Sequence, residues 1–181
     1  MPALPITVFA DFTCAACYVT EAALRQVAES ADISIRYRAA ELDPASELSD
    51  AERDVAAGLR LPLSPPGSRP RTTKAHEAAL LARALGAEAA MREAVYAAYW
   101  AKGHDIGRID VLQQLAPDAG IDPFELKVAL DIDRFRDDVL RDQEVARRLG
   151  IRTGPGARIL IGVQTRAEIE TAMINDEFGS V

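Results

Sequence analysis

The chain has 181 residues and a mass of 19.6 kDa, the size of one domain or of one domain with an insertion. Apolar residues make up 49% of it and charged residues 27%, a balance that excludes intrinsic disorder and collagen-like structure. The net charge of −7 argues against a nucleic-acid partner. No stretch reaches the roughly 18 uninterrupted apolar residues of a membrane span. Because the N-terminus also lacks the basic and apolar regions of a signal peptide, we expect a cytoplasmic protein without a membrane partner.

The first forty residues predict two strands joined through a helix. Residues 6–11 are β-branched and aromatic, as in a buried strand. Residues 18–29 are rich in helix-forming residues, and residues 33–38 alternate apolar and polar side chains. Such a βαβ unit normally places its two strands parallel in one sheet.

The following hundred residues show helical periodicity, interrupted by a proline-rich loop at 59–70. Asp122 before Pro123 predicts a helix start, and Pro117 predicts a helix break. Three glycines end helical patterns: Gly86, Gly103 and Gly150.

Strand character returns at residues 158–161, and a final helix fits residues 166–174. The two α/β pieces are each too small to bury a sheet alone, so we expect them to pack together. The sequence therefore predicts a split α/β domain of residues 1–43 and 147–181, with a helical insertion of residues 44–146.

The two cysteines of the chain, Cys14 and Cys17, lie between the first strand and the first helix. A cysteine at a helix start faces unpaired N–H groups and the positive end of the helix dipole, so we expect a lowered pKa for Cys14. Cys17, one turn later and more deeply buried, can then resolve a mixed disulfide on Cys14. A CxxC at this point of a βαβ unit is typical of a thioredoxin-like redox site.

Two other hypotheses explain the cysteine pair less well. A zinc site needs about four ligands, whereas His76 and His104 are far from the cysteines and from each other in the sequence. We therefore expect neither a metal nor a cofactor. Two unreactive buried cysteines at this spacing would be a coincidence.

Other candidate residues have simple structural interpretations. His76 is expected on a helix surface or in a hydrogen bond rather than facing a cleft, and His104 in a solvated turn. Glu41 ends the second strand, where a loop or capping role is expected and proton transfer from Cys17 is the alternative. Three aromatic residues are expected in the core and rim of a helix pair: Tyr96, Tyr99 and Trp100.

Residues 150–155 follow a predicted helix and precede a predicted strand, the position at which thioredoxin-like folds place a cis-proline beside the CxxC. A cis X-Pro bond is rare and marks a constrained turn. We expect Pro155 to be that cis-proline.

Five segments, in order, resemble one known family: the CAAC motif, residues 41–44 (ELDP), residues 70–76 (PRTTKAH), residues 99–106 (YWAKGHDI) and residues 146–151 (ARRLGI). The chain resembles the DsbA-like thioredoxin-fold oxidoreductases, specifically their FrnE-like cytoplasmic branch. The resemblance implies a thioredoxin-like fold with an inserted helical domain over the active site. It implies disulfide exchange with protein thiols or glutathione through Cys14 and Cys17. It also makes Pro155 the cis-proline and Gly154 the residue whose backbone pairs with the substrate chain.

Some residues depart from this family. Ala15 and Ala16 replace its Pro-Trp or Pro-His, and Gly154 replaces a β-branched residue. Two alternatives therefore remain. One is a glutathione-dependent enzyme resembling 2-hydroxychromene-2-carboxylate isomerase or kappa-class glutathione transferase, in which no resolving cysteine is needed. The other is a non-enzymatic binding or chaperone module.

Overall fold

The computed structural model of the protein describes residues 4–30, 33–41, 50–64 and 67–151. Their elements, in chain order, are β1 (Leu4–Ala10), α1 (Ala15–Ser30), β2 (Ile33–Ala39), α2 (Asp50–Gly58), α3 (Thr73–Ala84), α4 (Glu88–Trp100), α5 (Ile109–Leu115), α6 (Pro123–Asp131) and α7 (Arg136–Arg148). The predicted strand at 158–161 and helix at 166–174 lie outside the described residues. The domain boundaries at 43 and 147 stay predictions.

The N-terminal βαβ unit has the predicted parallel pairing. β1 and β2 pair in parallel, with Leu4 opposite Ile33 and Ala10 opposite Ala39. Helix α1 begins at Ala15, three residues before the predicted start. The CAAC motif therefore forms the first turn of the helix instead of a separate turn before it.

Two hydrophobic clusters lie on the two sides of α1. The helical core is buried among α3, α4, α5 and α6, and it includes Tyr18, Leu81, Met91, Tyr96, Leu112 and Leu126. The sheet core lies against β1 and β2, and it includes Val8, Phe9, Cys14, Cys17, Leu24, Tyr37 and Ala146. Phe12 belongs to the helical core and Cys14 to the sheet core, so the boundary between the two cores passes through the CAAC turn.

Helix α7 returns to the sheet and is joined to β2 by Asp142. This carboxylate accepts a hydrogen bond from Arg38 Nε at 2.8 Å and another from the backbone N–H of Ala39 at 3.1 Å. The side chain of Arg83 on α3 donates to the carbonyl oxygen of Tyr37. The helical residues are thus hydrogen-bonded to the C-terminal end of the second strand, which lies beside the end of β1 that leads into the CAAC turn.

The predicted helix ends are confirmed. Asp122 caps α6, since its carboxylate accepts a hydrogen bond from the N–H of Phe124 at 2.8 Å, and Pro123 is the first helical residue. Helix α5 ends at Leu115, and a short 3-10 turn begins at Pro117. The three glycines at helix ends all have positive φ: Gly86, Gly103 and Gly150.

Candidate redox site

Cys14 precedes the first residue of α1, and its sulfur occupies the position of a helix-capping side chain. The backbone N–H of Cys17 donates to Cys14 Sγ at 3.2 Å. The carbonyl oxygen of Cys14 accepts from the N–H of Tyr18 at 3.1 Å, which begins the hydrogen-bond pattern of the helix. An N–H group and the helix dipole both stabilise negative charge on this sulfur, so the geometry favours a thiolate at Cys14.

The turn that leads into Cys14 is held by a residue of the proline-rich loop. Arg69 Nη2 donates to Asp11 Oδ2 at 2.9 Å, and Arg69 Nε donates to Thr13 Oγ1 at 2.7 Å. Asp11 also binds the turn itself, because its Oδ1 accepts from Thr13 N–H at 3.2 Å and its carbonyl accepts from Cys14 N–H at 3.1 Å. One guanidinium thus binds both ends of the three-residue segment before Cys14.

Aromatic side chains from α4 form a wall beside the CAAC turn. Trp100 Nε1 donates to the carbonyl oxygen of Phe12 at 3.0 Å. Tyr96 lies 4.9 Å from Phe12 between ring centroids and stacks on Tyr18 at 4.8 Å. The predicted core position of Tyr96, Tyr99 and Trp100 is confirmed, since all three are buried.

Both cysteines are buried thiols. Cys14 is 1% exposed and Cys17 is 0% exposed, so the two cysteines differ little in burial. Any molecule larger than the space around Cys14 Sγ can therefore reach this sulfur only when the surrounding groups move apart. The site combines a stabilised sulfur with a closed surface.

A buried ion pair lies one helical turn beyond Cys17. Arg92 on α4 binds the Glu21 carboxylate through two nitrogens, with Nε 2.7 Å from Oε2. The Tyr96 hydroxyl donates to Glu21 Oε1 at 2.6 Å. Burial alone would lower the pKa of Arg92, but the charge and hydrogen bonds of Glu21 raise it above its usual value. We name these three residues the Glu21 cluster.

The interpretation of His76 as a helix-surface residue is wrong. His76 is 1% exposed, and its Nε2 has no hydrogen-bond partner within the described structure. Its ring lies 4.9 Å from the ring of Phe12, between centroids. Burial first, and then the positive charge of Arg92, lower the pKa of His76 to about 3. Long-range packing of α3 on the CAAC turn, which periodicity does not encode, places this neutral ring in the core.

Glu41 has the expected capping role. Its carboxylate accepts from the backbone N–H of Thr72 at 3.0 Å and from Thr73 Oγ1 at 2.6 Å, at the start of α3. Arg71 Nε also donates to it at 2.9 Å. These bonds occupy the carboxylate and tie the end of β2 to the insertion. His104 lies exposed in the turn after α4, as predicted.

Two predicted site residues, Gly154 and Pro155, lie outside the described residues, and so the roles assigned to them stay predictions. The described residues contain no group of three or more His, Cys, Asp or Glu side chains that could hold a metal ion. Among them, no helix has the length and hydropathy needed to cross a bilayer.

Sequence reasoning missed Arg69 and the Glu21 cluster. The spacing of Cys17 and Glu21 places both on one helical face, and an acid on the buried face of α1 was a usable signal. No local pattern marks Arg69 or Arg92, because their partners are 58 and 71 positions away in the sequence.

A dithiol at the start of the helix in a parallel βαβ unit, covered by a helical layer, defines a thioredoxin-like protein. The model of the DSBA-like thioredoxin domain matches residues 5–158. The chain therefore belongs to the DSBA-like thioredoxin domain family. Membership supports a thiol–disulfide oxidoreductase or a related isomerase.

Solved structures share this fold at low sequence identity. The probable DsbA oxidoreductase SCO1869 from Streptomyces coelicolor is 22% identical with a TM-score of 0.69, over 98% of this chain and 91% of that one. The cytosolic disulfide reductase DsbM from Pseudomonas aeruginosa is 16% identical with a TM-score of 0.63, over 98% of this chain and 100% of that one. A second similar structure is of DsbM with GSH. A 2-hydroxychromene-2-carboxylate isomerase is 14% identical with a TM-score of 0.67, over 97% of this chain and 95% of that one.

Proposed function

We propose that the protein is a cytoplasmic thiol–disulfide oxidoreductase that exchanges disulfides with protein thiols or with glutathione. Cys14 is the attacking thiolate and Cys17 the resolving thiol. The observation that supports this most directly is the hydrogen bond from the Cys17 N–H to Cys14 Sγ at the start of α1. The disulfide reductase DsbM, one of the similar structures, adds support for this class of reaction.

The reaction has two exchange steps. The Cys14 thiolate attacks one sulfur of a substrate disulfide, and the other substrate sulfur leaves as a thiolate. Cys17, as a thiolate, then attacks Cys14 Sγ in the mixed disulfide, and the second substrate sulfur leaves. The substrate disulfide is reduced and the Cys14–Cys17 pair is oxidised; the same steps in reverse oxidise a dithiol.

Substrate binding is assigned to the segment at Gly154 and Pro155. By the family resemblance, Pro155 is the cis-proline beside the CxxC, and the Gly154 backbone pairs with the substrate chain. Because Cys14 is buried, we expect the reaction with a bulky disulfide to be limited by opening of the site.

The redox equilibrium of the cysteine pair tests this function. The protein is equilibrated with defined glutathione buffers, and thiols are read by alkylation and mass. A potential of about −270 mV would indicate a reductase and one of about −120 mV an oxidant. Cys14→Ser should abolish exchange, and Cys17→Ser should accumulate the mixed disulfide. If no intramolecular disulfide forms in any of the glutathione buffers, the proposal is refuted.

A glutathione-dependent isomerase is the second candidate. The likeness to a 2-hydroxychromene-2-carboxylate isomerase favours it. By the family resemblance, a single residue near position 14 would then activate bound glutathione. The two candidates differ in their need for Cys17. Under the isomerase hypothesis, Cys17→Ala keeps full activity and glutathione binds without disulfide turnover.

A further inference from the structure

We propose that Arg69 is a positioning residue for the redox reaction: it neutralises the Asp11 carboxylate beside Cys14 and so keeps the Cys14 sulfur ready to attack as a thiolate. The inference rests on the proposed function and concerns its first step. Arg69 lies in the proline-rich loop, outside the βαβ unit that carries both cysteines. The reactivity of Cys14 then depends on a side chain from a distant part of the sequence.

Asp11 and Cys14 are the two ends of one turn. The carbonyl oxygen of Asp11 accepts a hydrogen bond from the N–H of Cys14 at 3.1 Å, and the end residues of such a turn have Cα atoms within about 7 Å of each other. The Asp11 carboxylate is bonded to the same turn, because its Oδ1 accepts from the Thr13 N–H at 3.2 Å. A carboxylate is therefore held in the turn whose last residue must carry the negative charge of a thiolate.

Water does little to screen these two groups from each other. The side chain of Asp11 is 2% exposed, and Cys14 is 1% exposed. Like charges that are close together and buried oppose each other's ionisation. An uncompensated Asp11 carboxylate would therefore favour the protonated, unreactive thiol at Cys14.

Arg69 supplies the compensating charge. Its Nη2 donates to Asp11 Oδ2 at 2.9 Å, and its Nε donates to Thr13 Oγ1 at 2.7 Å. The cation thus lies against the carboxylate and against the residue that precedes Cys14. Because its charge offsets that of Asp11, the helix dipole and the Cys17 N–H can stabilise the thiolate without an opposing charge in the turn.

The loop that carries Arg69 is anchored on both sides of this residue. Before it, the N–H of Ser64 donates to the carbonyl oxygen of Trp100 at 3.0 Å. After it, the chain packs closely on the loop between α4 and α5, where a Cβ at Gly107 would lie 2.9 Å from the carbonyl oxygen of Arg71. The guanidinium is therefore placed by a backbone that is itself held, as the positioning of a reactive group requires.

Other ionisable side chains around the turn belong to α1, α3 and α4. Among the described residues they are Cys17 on α1, His76 on α3, and Arg92 and Tyr99 on α4. Burial lowers the pKa of His76 to about 3 and raises the pKa of Tyr99, so both are neutral at physiological pH. Arg92 is paired with Glu21. Arg69 differs from these side chains in its direct hydrogen bonds to both ends of residues 11–13.

The ionisation of Cys14 tests the inference without a reagent that must enter the site. In the full chain carrying Cys17→Ser, Cys14 is the one remaining cysteine, and the ultraviolet absorbance of its thiolate is followed against pH. The chain with both cysteines replaced by serine gives the tyrosinate background. We expect Arg69→Met to raise the pH midpoint of the Cys14 transition by about one unit, because Asp11 then has lost its compensating charge.

Asp11→Asn, added to Arg69→Met, separates the effect of charge from that of structure. The double variant no longer has the anion, so its midpoint should return to about the wild-type value. A purely structural role predicts the opposite, since a second lost contact cannot restore the first. If Arg69→Met does not fold, Asp11→Asn alone decides, because removal of the anion should lower the midpoint, and an unchanged or raised midpoint would overturn the inference.

Arg71→Met is the matched control. It removes an arginine from the same loop whose side chain is 86% exposed and whose ion-pair partner is Glu41. The midpoint of the Cys14 transition should stay at the wild-type value in this variant. A shift as large as that of Arg69→Met would show that any cation of the loop has the same effect, and it would overturn the specific role of Arg69.

The redox equilibrium separates this inference from the proposed function. In a glutathione buffer, GSSG takes two electrons and two protons from the Cys14–Cys17 dithiol, and two molecules of GSH form. A stabilised thiolate favours the reduced pair, so Arg69→Met should shift the equilibrium constant towards the disulfide by about tenfold at a pH above both midpoints.

Two results would be decisive in different ways. An unchanged midpoint in Arg69→Met, or a raised midpoint that Asp11→Asn does not restore, overturns the role of Arg69 and leaves the proposed function standing. A wild-type protein that forms no intramolecular disulfide in any of the glutathione buffers overturns the proposed function, and the inference about its first step with it.

Discussion

Two ion pairs join α1 to α4, and they differ in almost everything but their chemistry. Glu21–Arg92 is buried, with side chains 2% and 4% exposed, whereas Arg25–Glu93 is 29% and 69% exposed. The positions are four residues apart on α1 and adjacent on α4. An exposed pair contributes about 0–1 kcal/mol, because water solvates its charges well when they separate. A buried pair cannot separate without leaving an unsolvated charge.

The two ion pairs also differ in their surroundings. The Arg92 guanidinium carbon lies 4.7 Å from the Phe12 ring centroid and 4.2 Å from that of Tyr37. Arg92 thus touches the residue that precedes Thr13 and Cys14 as well as the second strand. The buried pair connects helix α4 to the CAAC turn and to β2, whereas the exposed pair connects only α1 and α4.

The largest effect should follow removal of Arg92. Arg92→Ala leaves Glu21 charged in the interior, and we expect a loss of about 3–5 kcal/mol in the free energy of unfolding. Urea unfolding followed by circular dichroism measures it. A loss below 1 kcal/mol would mean that water enters the cluster and solvates Glu21, which would remove the contrast between the two ends.

Acid should destabilise the fold through His76, which is buried near the Glu21–Arg92 pair. Its pKa is about 3 in the folded protein and about 6.5 when unfolded, so the unfolded chain binds the proton first. Stability is full above pH 6.5 and falls by about 1.4 kcal/mol per pH unit below it, towards pH 3. Unfolding free energies from pH 7 to pH 4 test this. His76→Phe should flatten that part of the profile, and an unchanged slope would contradict the buried neutral ring.

Alkali should destabilise the fold through Tyr37, whose ring lies against Arg92 of the buried pair. Burial first, and the charge of Glu21 next, raise the pKa of Tyr37 to about 12. The unfolded chain loses its phenolic proton near pH 10, so stability falls as pH rises from 10 towards 12, by at most about 1.4 kcal/mol per unit. All four tyrosines have raised pKa values. Unfolding free energies measured from pH 9 to pH 12 test this, and Tyr37→Phe should flatten that part of the profile.

The smallest effect on stability should follow removal of the exposed ion pair. Arg25→Ala should cost less than about 1 kcal/mol, and this cost should fall further in high salt because solvent ions screen the pair. Unfolding at two salt concentrations measures both quantities. The loss of stability caused by Arg92→Ala should change little with salt. A similar salt dependence for both variants would show that water solvates the two ion pairs alike.

The parts of the fold that could be predicted depend on neighbours in sequence. The parallel βαβ unit, the Asp122 cap and the break at Pro117 are encoded within a few residues, and they are confirmed. The buried ring of His76 and the grip of Arg69 on Asp11 depend on packing between distant segments. Periodicity identifies that a helix face is covered but not what covers it, so these contacts could not be predicted.

The grip of Arg69 on the CAAC turn has a consequence for folding. Asp11 and Arg69 are 58 positions apart, and the bond from Trp100 to Phe12 spans 88. Contacts between segments so distant in sequence add loop-closure entropy to the cost of forming them, so we expect them to form after the local helices. The CAAC segment precedes Arg69 and Trp100 in the sequence, so we expect its cysteines to react as ordinary thiols until those residues have emerged and packed. The CAAC turn has its native contacts only once Arg69 and Trp100 are in place, so we expect the proposed chemistry to begin only when the fold is complete.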